Sequence, residues 1–376
     1  MSKKVLLICH HASLTGAPKS LLNIGKILVS LNYKVSVIIN KNGPLEKDFS
    51  SLGRCYFWNK YDLSSSSIIF KILNKIIDLN SFNRSRIFQE IRKQKITLCL
   101  NNTVANYSIV KHLKDFKVIS WVHELSFMMK VAEINGHDVK KLINRSDFIL
   151  TASKAVERNL VKCFNVKESK MYTIYEIIDD VFTKNTEKKL DGKFIIGGSG
   201  SLGWRKGTDL FIKTAKFLRD IGEIEDLKFV WKGGYSNDIG FLEFQTEVDN
   251  LKLNDYVNII EYDKNMNDFY KRLDVFLMCS REDPFPLVNI EAGIFGTPII
   301  GFADSGGTEE FLKYEAGILV PYGDYRAMAK NIIELKKNVD KRNLFRLNIS
   351  KKAGDFTFSS KKNEVSLLFT KLAKNN

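Results

Sequence analysis

The chain holds 376 residues, too many for one ordinary α/β domain and enough for two of roughly 150–200 residues each. Apolar residues at 44% and charged residues at 27% exclude a disordered or fibrous chain, and no uninterrupted apolar stretch reaches the ~18 residues that a bilayer-spanning helix needs. The net charge of +15 is lopsided: residues 1–185 carry 29 Lys and Arg against 15 Asp and Glu, while residues 186–376 carry 29 against 28. Such a first half suits anionic lipid, a phosphorylated acceptor or nucleic acid, and the two halves are expected to have different tasks.

The first element is a buried parallel strand, Val5–Cys9, too short for the apolar core of a signal peptide, so the chain is expected to stay in the cytoplasm. A loop with Gly16 and Pro18 leads to a helical pattern over 19–31 and a second strand at Lys34–Ile39. This is one βαβ unit of a doubly wound sheet. Further strands are expected at 96–100, 118–121 and 148–151. A second βαβ series opens at 194–196, continues with a helix from about 208 to 220, and has strands at 228–231, 257–260, 275–278 and 298–301. The polar stretch 183–192 between the series reads as an interdomain linker. The expected domains are 1–183 and 184–359, with a C-terminal helix over about 360–376 packing back on the first. Five scattered cysteines without a CxxC or Cys/His cluster argue for reduced, mostly buried thiols and against structural zinc.

Three segments carry chemistry. After the strand at 194–196 comes Gly198-Ser-Gly200-Ser-Leu-Gly203-Trp-Arg205-Lys206-Gly207, whose first six residues match GxGxxG. A dinucleotide site also needs an acid about 20 residues on, at the end of the next strand. That strand ends Val230-Trp-Lys232-Gly-Gly, which counts against NAD. Lys206 is preceded by Arg205 and followed by Gly207, so a Walker A loop is excluded as well. A phosphate site with two cations at a helix N-terminus survives; a tight turn with surface cations is its bland alternative. The second segment runs from Ser280 to Pro298 and sets Asp283 before a helix and Glu291 inside it, with Leu287 and Val288 at the helix N-terminus. Two acids bracketing an anion site suit a ligand with hydroxyls on both sides of a pyrophosphate, although a capping acid and a surface glutamate are commoner in isolation. The third is Asp304-Ser-Gly306-Gly307-Thr-Glu309-Glu310, a glycine turn opening another helix.

Segments 194–212, 280–298 and 304–311, with the Thr15-Gly16-Ala17-Pro18 loop and Trp121-Val-His123-Glu124, resemble retaining glycosyltransferases of family 4 over essentially the whole chain. The resemblance implies an α/β chain of the GT-B architecture: two facing Rossmann-like, doubly wound domains with an interdomain cleft. It makes Asp283 and Glu291 the E-x7-E pair, with Asp in the first position. Glu291 is then expected on the nucleotide ribose, Asp283 on donor-sugar hydroxyls, and Lys206 with Arg205 on the diphosphate. The Gly16 loop, Gly200, Leu287 and Val288 line the donor site, and His123 faces the donor sugar. A lone histidine at a strand end is otherwise more often structural. The family arginine five residues before the lysine is absent here, Ser201 standing in its place. No cofactor is expected beyond a UDP- or GDP-linked co-substrate. The absence of any DxD triplet predicts metal independence.

The expected activity is transfer of a sugar from a nucleotide sugar to a glycan or lipid-linked acceptor in surface polysaccharide or lipopolysaccharide synthesis. No nucleic-acid partner is expected. The basic stretch 66–95, with Lys71, Lys75, Arg84 and Arg86, predicts contact with an anionic membrane surface, placing the enzyme peripherally on the inner face of the plasma membrane. The alternatives are an NAD-dependent oxidoreductase and a GT-B-like sugar-nucleotide epimerase.

Overall fold

Val5–Cys9 lacks polar alternation because both faces of its strand are covered: all five residues are fully buried in β1 (Lys4–Cys9). The computed structural model describes residues 3–60, 79–96, 98–180, 192–263, 265–313 and 315–374. It has two compact units, one of Met1–Ala152, Val156–Ile177 and Lys361–Asn376, the other of Ser153–Ala155 and Ile178–Ser360.

In the first unit, β1, β2 (Lys34–Ile39), β3 (Gly53–Phe57), β4 (Leu98–Asn102), β5 (Lys117–Val122), β6 (Phe148–Thr151) and β7 (Met171–Thr173) form one sheet. Its order is β3-β2-β1-β4-β5-β6-β7, and every pairing is parallel. The C-terminal helix, Phe358–Lys374, buries Val365, Phe369 and Leu372, and the Phe369 ring meets Tyr33 edge-on at 6.3 Å. In the second unit the strands are β8 (Phe194–Ser199), β9 (Leu227–Lys232), β10 (Val257–Ile260), β11 (Val275–Met278), β12 (Ile299–Phe302) and β13 (Gly317–Val320). Their order is β10-β9-β8-β11-β12-β13, again all parallel. Strand order reverses between β1 and β4 and between β8 and β11. Ligands of doubly wound sheets sit outside the carboxyl ends of strands at such reversals. The loops after these four strands are therefore the places to look.

Several boundaries depart from the periodicity. β3, β7 and β13, at sheet edges and only partly buried, escape it, and β3 opens on exposed Gly53 and Arg54. β4 runs on into Asn101 and Asn102, fully buried, whose side-chain Nδ2 groups donate to Ser120, Thr103 and Ala17. The helix after β1 spans Gly16–Ser30, so Gly16 is its first residue and Pro18 lies in the first turn, where a missing N–H costs nothing. Gly198 belongs to β8 rather than to a loop; a Cβ there would lie 2.4 Å from the Trp231 ring.

The linker stretch 183–191 lies outside the described residues, as do Lys71 and Lys75. Of the basic stretch, the helix Leu79–Lys93 is described. There Arg84 lies over the Trp58 ring at 5.2 Å and donates to Asn59 at 2.6 Å, whereas Arg86 is exposed and pairs with Glu90 at 3.3 Å. Arg84 is thus docked against its own unit rather than offered to a surface. Cys9, Cys99 and Cys279 are buried, Cys55 is half-buried and Cys163 exposed.

Candidate functional site

In the first unit, β5 ends at Val122, and His123 and Glu124 lead into the helix Ser126–Ile134. Glu124 folds back on this loop: its carboxylate accepts from the His123 backbone N–H at 2.9 Å and from the Val104 N–H, after β4, at 3.2 Å. Burial pushes its carboxyl above the usual range, with the neighbouring His123 opposing. The His123 ring is buried, sits 4.4 Å from the Trp121 ring, and places Nδ1 at 2.7 Å from Glu176 Oε1. The other Glu176 oxygen accepts from the Ser20 hydroxyl, which lies 3.0 Å from the Gly16 carbonyl. Glu176 thereby brings the Gly16 helix start and His123 together. His123 Nε2 is buried without a hydrogen-bond partner. His10, at the end of β1, has its pKa pushed down to about 4, chiefly by burial and further by the basic groups around it, so its ring is neutral at pH 7.

In the second unit, β8 gives way to a loop whose last turn, Trp204–Lys206, ends at Gly207, φ +70°; a Cβ there would lie 2.0 Å from the Cys279 carbonyl at the end of β11. That close approach sets the basic turn against the loop that follows β11. Lys206 Nζ lies 2.5 Å from Asp283 Oδ2, and Arg205 Nη1 lies 3.9 Å from the same oxygen while donating to the Glu282 carbonyl at 3.1 Å. A Cβ on Gly200, φ +133°, would lie 3.4 Å from the Lys206 side chain. Burial pulls the Lys206 ammonium below the ordinary lysine range, helped by Arg205 and opposed by Asp283.

Asp283 is fixed through its backbone as well, donating to the Ser305 carbonyl at 2.8 Å and accepting from the Gly307 N–H at 3.0 Å. Arg281 staples the two loops: it forks onto Asp209 at 2.7 and 2.8 Å, donates to the Trp204 carbonyl at 2.6 Å and lies over the Trp204 ring. The helix Leu287–Ile294 follows Pro286, which supplies no side-chain cap, and Leu287 and Val288 form its first turn. First-turn N–H groups have no intrahelical acceptor. Glu291, one turn on and buried, accepts from the Tyr270 hydroxyl at 2.8 Å. Burial, reinforced by the Glu291 charge, holds that phenol well above its usual pKa.

The structure thus groups Gly200, Arg205, Lys206, Asp283, Leu287, Val288 and Glu291 in one unit, and Gly16 with His123 in the other. Sequence reasoning missed Tyr270, Arg281, Ser20 and Glu176. Glu176 alone left a signal, as a single acid inside the apolar run Ile174–Ile178. Among the described residues, no three His, Cys, Asp or Glu side chains are grouped to hold a metal ion.

Comparison with known proteins adds a family to this geometry. The family described as Glycosyl transferases group 1 matches residues 180–352, and the one described as Glycosyl-transferase family 4 matches residues 1–66. An uncharacterized glycosyltransferase of Haemophilus influenzae is 24% identical over 90% of this chain and 91% of its own length. The capsular polysaccharide biosynthesis glycosyltransferase CapM of Staphylococcus aureus is 25% identical over 50% of this chain and 48% of its own. Among solved structures, Anabaena HepE in complex with UDP and glucose superposes with a TM-score of 0.78 at 15% identity, covering 98% of this chain and 99% of the other. The two parallel doubly wound sheets match the GT-B fold, and the matches to both families and to these relatives support a family 4-like glycosyltransferase.

Proposed function

We propose that the protein is a retaining, metal-independent glycosyltransferase. It moves a sugar from a UDP- or GDP-linked donor to a glycan or lipid-linked acceptor in surface polysaccharide or lipopolysaccharide synthesis. The observation that carries this reading is the Lys206–Asp283 pair at the β8/β11 reversal, with Arg205 beside it and the uncapped helix Leu287–Ile294 carrying Glu291. CapM is named for capsular polysaccharide biosynthesis and HepE was solved with UDP and glucose, which supports the donor and acceptor classes.

In this reading the second unit holds the nucleotide and the first receives the acceptor. Glu291 takes the ribose hydroxyls. Lys206, Arg205 and the Leu287 and Val288 N–H groups face the diphosphate. As the anomeric carbon–oxygen bond to phosphate breaks, negative charge builds on the departing diphosphate, where these fixed donors stabilise it without a metal. The acceptor hydroxyl attacks from the same face, forms the new carbon–oxygen bond and passes its proton to a phosphate oxygen. Asp283 in the second unit and His123 in the first are each assigned a contact with donor-sugar hydroxyls, on the family resemblance. An NAD site is disfavoured because Lys232, paired with Asp263 at 2.7 Å, ends the strand where a ribose-binding acid is required. The basic first half supports a cytoplasmic enzyme resting peripherally on anionic membrane.

Lys206→Ala and Glu291→Ala should each lower transfer about 10²–10³-fold, the effect of removing one electrostatic stabiliser, while leaving the fold intact. Near wild-type transfer in either variant, with the fold verified by circular dichroism, refutes the site.

A further inference from the structure

We propose that Glu176 is the positioning residue of His123, holding the imidazole with its proton on Nδ1 and leaving Nε2 as a free acceptor for a donor-sugar hydroxyl. This rests on the donor-sugar role of His123 proposed above. The Glu176 carboxylate offers only acceptor oxygens; one lies 2.7 Å from His123 Nδ1, and the other is taken by the Ser20 hydroxyl. Nδ1 must therefore carry the proton, and in a neutral imidazole the second nitrogen is then an acceptor. That second nitrogen, Nε2, is buried and lacks a partner, although His123 is only 9% exposed. A buried acceptor left open is anomalous until a donor fills it, and a sugar hydroxyl is a donor.

The grip on the ring is built into the fold. Ser20 sits one turn into the helix Gly16–Ser30, and Asn23, on the same helix, donates to the Ile177 carbonyl at 2.7 Å, pinning the segment that carries Glu176. Glu124 independently holds the His123 backbone N–H. Backbone and ring are thus fixed by different carboxylates, and a ring so held has one orientation to offer. The Gly16 helix contributes to the site through this relay.

Imidazole nitrogen NMR on the full chain, with His123→Asn supplying the assignment, tests this directly. The proton of His123 is expected on Nδ1 in the wild type. In Glu176→Gln, whose amide can donate to Nδ1, it should shift to Nε2 or exchange between the two. A wild-type proton on Nε2, a measurement that needs no Glu176 variant, overturns the proposal, as does an unchanged tautomer in Glu176→Gln. A second readout is the gain in affinity of UDP-glucose or GDP-mannose over the free nucleotide. It should fall about tenfold in Glu176→Gln and in His123→Asn, with the double variant no worse than His123→Asn; losses that add in the double variant contradict positioning through the ring. A wild-type protein that gains nothing from the sugar of either donor removes the donor-sugar role of His123, and the tautomer result still decides the part played by Glu176.

Discussion

Single residues in this protein owe their chemistry to where burial meets charge. Lys206 is pulled below its ordinary pKa by burial yet sits 2.5 Å from Asp283, whose carboxylate favours its charged form. His10 illustrates the pH consequence. Its ordinary pKa is 6.5 and its folded value about 4, so between these values the unfolded chain takes up a proton that the folded chain refuses. The stability contributed by a neutral His10 is present above pH 6.5 and is lost as pH falls towards 4. Thermal melts of the wild type should therefore drop across this window, and His10→Gln should flatten part of that drop; identical pH profiles for the two would show that His10 is not held neutral. Sequence alone placed Lys206, Asp283 and Glu291 by motif spacing, since spacing along a strand–loop–helix survives folding nearly unchanged. It could not place Glu176 or Tyr270, which belong to no motif and gain their roles only from partners 53 and 21 residues away.

At the scale of elements, the central strands are readable because parallel strands covered on both faces become continuous apolar runs, and β2, β6 and β11 fall on the residues their runs predict, as does the edge strand β10. The other three edge strands, β3, β7 and β13, are only partly buried and go unread. The two loops beyond β8 and β11 act as one element through Arg281. Removing its fork on Asp209 should cost only about 1 kcal/mol of stability, since Asp209 is partly solvated. The larger effect should fall on the ligand: Arg281→Ala frees the Trp204–Lys206 turn and should weaken nucleotide binding about tenfold by calorimetry, or about 1.4 kcal/mol. Unaltered binding would mean that the turn holds its shape without the staple.

The whole molecule divides its charge as it divides its sheets, with the excess of basic residues in 1–185 and near balance beyond. Attraction to anionic lipid is worth roughly 1 kcal/mol per basic residue near the surface and is screened by salt. Vesicles of anionic lipid should retain the protein at low salt and release it as salt rises, and reversing Lys71, Lys75 and Arg86 should weaken retention without altering nucleotide affinity. Arg84 is left out of that set because it is tied to Trp58 and Asn59. Failure of anionic vesicles to retain the wild type at low salt assigns the charge to another use. The central claim, a nucleotide-diphosphate site built on Lys206 in the second unit, is tested most directly by titrating UDP, GDP and NADH, in the presence of EDTA, into the wild type and Lys206→Ala. UDP or GDP should bind the wild type without metal and bind Lys206→Ala at least tenfold more weakly, whereas tight NADH binding with no response to UDP or GDP would contradict the account.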